Sequence, residues 1–126
     1  MTYVISNDEL PNNGSVYRFE GFLYGDVDVS FFRSETPPGQ GPELHAHPYE
    51  EAFVVQEGEL TFTVGDTTVE ATGGQIVVAP PGAPHKFVNS GTGRARHIDI
   101  HTSRRMTTEW GSEIRKSGDG NGGIGS

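Results

Sequence analysis

The sequence has no cysteine, so no disulfide staples the fold and no thiolate holds a metal. It has no apolar run near the length that crosses a bilayer. Its start, M-T-Y-V-I-S-N-D-E-L, carries neither the basic region nor the apolar stretch of an export signal. The expectation is a soluble, cytoplasmic protein with no membrane partner. Positive charge is also scarce, with 9 Lys and Arg against 17 Asp and Glu and a net charge of −8. Nucleic acids and anionic membranes call for concentrated basic charge, so no nucleic-acid partner is expected. Arg94, Arg96, Arg104 and Arg105 form only a local basic patch, read as a solvated strand edge that resists aggregation.

What is present is punctuation. Eighteen Gly and 8 Pro lie among many Val, Thr and Phe residues, with few stretches of good helix formers, which favours short strands joined by tight turns. A chain of 126 residues fits one all-β domain with a core of its own. The pattern predicts strands over residues 3–5, 16–24, 27–32, 75–79, 84–89 and 95–103, and a short helical turn over 107–114 with Trp110 packed back onto the body. A Pro- and Gly-rich loop over 34–42 separates the early strands from the centre of the chain. The clearest element is a hairpin, L-T-F-T-V-G-D-T-T-V-E-A, turning at Gly65-Asp66. Pairing Val64 with Thr67 sets Phe62 opposite Val69 and Leu60 opposite Ala71, which makes one face almost wholly apolar. Residues 1–116 are expected to form the domain, and 117–126 a disordered Gly-rich tail.

The chemistry lies in two stretches between Gly39 and Asn89. His45 and His47 alternate, so on an extended strand both side chains share a face and two imidazoles can lean onto one ion. Glu51 joins them only if the chain bends near Pro48, because four residues of straight strand would carry it about 13 Å away. His85 shares a face with Phe87 and Asn89 further on. Three imidazoles and a carboxylate form a mixed nitrogen and oxygen set suited to iron, manganese, nickel, cobalt, copper or zinc.

The first stretch reads G-x5-H-x-H-x3-E-x6-G at Gly39, His45, His47, Glu51 and Gly58, and the second G-x5-P-x-G-x2-H-x3-N at Gly74, Pro80, Gly82, His85 and Asn89. In both, the chain resembles the cupin superfamily, in particular its small single-domain bacterial members. The resemblance implies a jelly-roll β-barrel, the double-stranded β-helix, with one divalent transition metal per chain held by His45, His47, Glu51 and His85. It also implies a homodimer.

Beyond the metal the sequence is less specific. Its leading functional reading is a small metal-dependent enzyme, of dioxygenase or related type, acting on a small aromatic or enolisable molecule; the alternative is a non-catalytic module that binds or senses a small molecule. Glu51 and His101 are the candidate catalytic groups, and Phe53 and Phe87 are either walls of a substrate pocket or ordinary barrel core. His97, Asp99 and His101 share one face of the last long strand, and Ile98 and Ile100 share the other. Either face suits the interior.

Overall fold

The hairpin forms in the expected register. In the computed structural model, which describes residues 2–111, Val64 pairs with Thr67, Phe62 with Val69 and Leu60 with Ala71. Leu60, Phe62 and Ala71 are buried, and Gly65 takes the positive φ that this two-residue turn requires.

Among the described residues ten strands follow one another: β1 (Val16–Glu20), β2 (Ser30–Thr36), β3 (His45–Ala46), β4 (Glu51–Glu57), β5 (Glu59–Val64), β6 (Thr67–Thr72), β7 (Ile76–Ala79), β8 (His85–Asn89), β9 (Ala95–His101) and β10 (Glu109–Trp110). They make two five-stranded antiparallel sheets, ordered β1-β2-β9-β4-β7 and β10-β3-β8-β5-β6. The inner faces enclose a core of Phe53, Val55, Leu60, Phe62, Ala71, Ala79, Phe87 and Ala95. No helix among the described residues is long and apolar enough to cross a membrane.

Four local expectations need correction. Residues 3–5 pair with no strand; the nearby regular element is a 3-10 turn at Asn7–Glu9. The strand expected over 16–24 stops at Glu20, because the chain turns through a second 3-10 element, Gly21–Leu23. A side chain at Gly21 would collide with the carbonyls of Val27 and Val29, 2.0 and 2.3 Å from an added Cβ. The next strand begins at Ser30 instead of Val27 and runs to Thr36, into the stretch expected to be loop; it buries Ser30, Phe32 and Ser34, leaving Val27 exposed. Within the helical turn expected over 107–114, Glu109 and Trp110 instead pair with Ala46 and His45, an edge pairing with no periodic signal in two residues, and 112–114 lie outside the described residues. Trp110 does pack onto the body, its ring 5.2 Å from that of His45. The expected tail, 117–126, lies outside the described residues.

β9 resolves its own ambiguity. His97, Asp99 and His101 are buried at 1%, 0% and 0% exposure, so the polar face points into the barrel. The pairing leaves no choice of phase: Glu51 lies opposite His101 and Phe53 opposite Asp99, and β4 turns that same set inward.

Candidate metal centre

β3 and β4 belong to different sheets, so the chain must turn between His47 and Glu51. The bend predicted at Pro48 is this crossing. Gly82, at φ 76°, closes the turn of the second motif and donates its backbone N–H to the carbonyl of His47 at 2.7 Å. The two motifs are therefore tied together through the backbone before any ligand is considered. β8 then sets His85 opposite His45.

The result is a buried cluster in which one ligand atom each from His45, His47, Glu51 and His85 lies within 4.8 Å of all the others. All four residues are 2% exposed or less. Each imidazole is anchored from behind: Nδ1 of His45 lies 2.7 Å from the carbonyl of Glu43, Nδ1 of His47 2.7 Å from that of Thr107, and Nδ1 of His85 2.9 Å from that of Ala83. A carbonyl only accepts, so each ring donates its Nδ1–H and a neutral ring turns the Nε2 lone pair inward.

Glu51 Oε1 is 2.9 Å from Nε2 of His47 and 3.1 Å from Nε2 of His85. Lone pairs and a carboxylate oxygen at such distances repel unless a proton or a cation lies between them. Protons fit poorly at His45: burial, then the neighbouring His85, pull its pKa from the ordinary 6.5 down to about 3. Burial alone would raise Glu51; hydrogen bonds from His101, His47 and His85, each of which requires a proton on the facing nitrogen, outweigh it and hold the carboxyl well below its usual range. His47 Nε2, Glu51 Oε2 and His101 Nε2 are buried without a well-aligned hydrogen bond, although all three have close neighbours. A neutral imidazole set around an ionised carboxylate, with orphaned atoms facing inward, fits a divalent transition metal.

His101 differs from the other three histidines. Its Nδ1 lies 2.7 Å from the hydroxyl of Tyr49, and that oxygen also accepts the N–H of Thr107 at 3.1 Å. Its Nε2 faces Glu51 Oε2 at 3.2 Å. Taking the Tyr49 O–H as donor to Nδ1 at 2.7 Å, in preference to the Thr107 carbonyl at 3.4 Å, sets the His101 proton on Nε2, toward the carboxylate. His101 thus presents a donor where the other three rings present lone pairs. Burial pushes the Tyr49 hydroxyl well above its ordinary pKa, which keeps it protonated as this assignment requires.

A family model described as a cupin domain matches residues 32–101. The chain belongs to the cupin family. Among curated proteins, H2HPP isomerase of Bacillus subtilis is 36% identical over 77 residues, covering 60% of this chain and 32% of that protein, so the chain spans about a third of its relative's length. Among solved structures, the oxalate decarboxylase of Lactobacillus farciminis in a formate complex is 20% identical with a TM-score of 0.72, over 82% of this chain and 34% of that one. A conserved protein with a double-stranded beta-helix domain from Klebsiella pneumoniae matches 87% of this chain and 97% of its own, at 24% identity and a TM-score of 0.66. These structural likenesses establish the double-stranded β-helix fold.

In this cupin the other expected site residues separate. Phe53 packs against the cluster, its ring 5.6 Å from that of His85. Phe87 lies deeper, against Phe53, Phe62 and His97, as part of the core. Tyr49 and the Thr107 carbonyl escaped the sequence reading. Tyr49 had a signal, an aromatic hydroxyl between two ligand positions, and its ring stacks on His47 at 5.2 Å. The carbonyl had none, since a backbone acceptor sixty positions from its histidine leaves no trace in residue identity.

Proposed function

We propose that this cupin is a metal-dependent enzyme acting on a small aromatic or enolisable molecule, with His45, His47, Glu51 and His85 holding one divalent metal per chain. A bound metal would supply Lewis acidity toward a substrate oxygen. The observation that carries the enzymatic reading is the His101–Glu51 contact, because a binding module needs no protonated donor held against a ligand carboxylate by a tyrosine.

His101 Nε2–H would hydrogen-bond a substrate oxygen or return a proton to it, Tyr49 would keep the donor on Nε2, and Phe53 would keep that edge of the site dry. This arrangement suits proton shifts of an enolisable substrate, as the isomerase relative's name also suggests, and it is compatible with oxygenase chemistry on the same substrates.

The test is a screen of iron-, manganese-, nickel- and zinc-loaded protein with diketones, catechols and flavonols, following both keto–enol absorbance and dioxygen uptake. Turnover that His101→Gln removes while metal content stays at wild type is expected. Stoichiometric binding of these compounds without product would make the protein a binding module instead. We also propose a homodimer, supported by the exposed Ile76 and Val78 on β7, an edge strand with an unpaired ladder.

A further inference from the structure

The inward face of β9 carries a second set of polar groups, and the metal centre does not use it. Asp99 Oδ1 lies 2.6 Å from Nδ1 of His97, and Nε2 of His97 lies 2.8 Å from Oγ1 of Thr36. A carboxylate only accepts, so His97 carries its proton on Nδ1 and its Nε2 accepts the Thr36 O–H. The hydroxyl proton is thereby aimed at a base that a third group orients, which is the arrangement that activates a hydroxyl nucleophile. His97 and Asp99 are 1% and 0% exposed, whereas Thr36 is half-buried at the end of β2.

Thr36 lines an open cleft of about 670 Å³, together with Ser34, Pro37, Gly39, Gly41 and Phe87. Ser34 faces the same cleft from two positions earlier on the same face of β2, and it pairs with His97 across to β9. Its hydroxyl is buried at 6% exposure and has no hydrogen-bond partner. Rotation of the Ser34 side chain would turn this unpaired donor toward an acyl carbonyl oxygen held at Thr36. Asn89, the last residue of the second motif and no part of the metal set, donates its Nδ2–H to the backbone carbonyls of Thr36 and Gly93 at 2.8 Å each. It fixes the end of β2 on which Thr36 stands.

We propose that Thr36, His97, Asp99 and Ser34 form an acyl-transfer site, separate from the metal centre, for small carboxylic esters with a good leaving group. Thr36 Oγ1 attacks the acyl carbon while His97 Nε2 takes its proton, and Ser34 donates to the carbonyl oxygen. The bond to the alcohol breaks, His97 returns the proton to the departing oxygen, and an acyl-Thr36 ester remains. Water, deprotonated by His97 Nε2, adds to the acyl carbon; the bond to Thr36 Oγ1 breaks as His97 gives that proton to Oγ1, which releases the carboxylic acid and restores the Thr36 hydroxyl.

The full-length protein incubated with p-nitrophenyl acetate and p-nitrophenyl butyrate tests this, read by p-nitrophenolate release and by peptide mapping of the acyl group. Thr36 should carry the acyl group, and Thr36→Val should abolish both signals. His97→Gln should slow release by roughly a hundredfold or more. If it fails to fold, Ser34→Ala, which only removes an unpaired hydroxyl, should slow release roughly tenfold to a hundredfold. Release by Thr36→Val at the wild-type rate, or acylation confined to lysine or the N-terminus, overturns the proposal.

Discussion

Glu51 and His101 face each other across β4 and β9, with Oε2 and Nε2 3.2 Å apart in a fully buried space. One oxygen of the carboxylate turns to two imidazoles of the metal set and the other to a ring that Tyr49 holds in the opposite tautomer. Removing that hydroxyl with Tyr49→Phe frees His101 to place its proton on either nitrogen. Metal content should stay at wild type while kcat falls about tenfold to a hundredfold, with little change in KM. Equal losses of metal and of turnover would make Tyr49 a structural support alone.

The four converging groups should bind metal as one unit. His45→Ala or His85→Ala should bring metal content well below one ion per chain, measured by elemental analysis of protein made in supplemented medium. Metal added to stripped wild-type protein should raise its stability by about 2.7 kcal/mol when free metal is a hundred times Kd, visible as a rise in Tm. The His45→Ala protein should show little of that rise. Retention of a full complement of metal would place the ion elsewhere.

Acid should weaken the metal-free protein over a defined window. An unfolded chain protonates His45 near 6.5, whereas the folded one resists down to about 3, because burial and His85 oppose the charge. Between these values the unfolded state binds more protons, so stability rises with pH and is lost as pH falls. Glu51, held below its ordinary value, adds loss of the same sign below about pH 4.5. Each group contributes a slope of at most about 1.4 kcal/mol per pH unit. Urea unfolding of chelator-treated protein across this range measures the slope, and His45→Asn should flatten its upper part.

Phe62 is fully buried among Phe53 and Phe87, and it touches none of the metal set through the ring contacts that place Phe53 there. Phe62→Ala should cost about 3–5 kcal/mol through lost burial and the cavity left behind. Denaturant unfolding gives the cost, and metal stoichiometry of the folded fraction should be unchanged. A variant that loses metal in proportion would mean that the centre depends on core packing more than on its backbone anchors.

A dimer should be visible by light scattering on size-exclusion chromatography at micromolar concentration. Val78→Lys, which places charge on the exposed edge of β7, should shift the mass toward that of one chain without lowering Tm by more than a degree or two. A wild-type protein that elutes only as one chain removes the proposal.

The sequence by itself determined the hairpin, because the turn at Gly65-Asp66 and the apolar alternation of its strands demand one register. It also marked the four residues that converge, His45, His47, Glu51 and His85, because imidazoles and a carboxylate at motif spacing are a statement about residue identity. It could not orient β9, where histidines and isoleucines alternate and both phases satisfy the period; only pairing with β4, which turns Glu51 and Phe53 inward, decided it. Nor could it show that His101 differs from the other three histidines. That difference lies in what each Nδ1 meets, a carbonyl of Glu43, Thr107 or Ala83 in three cases and the Tyr49 hydroxyl in the fourth. Such partners are set by where the backbone passes, and the path of the backbone is a property of the closed barrel.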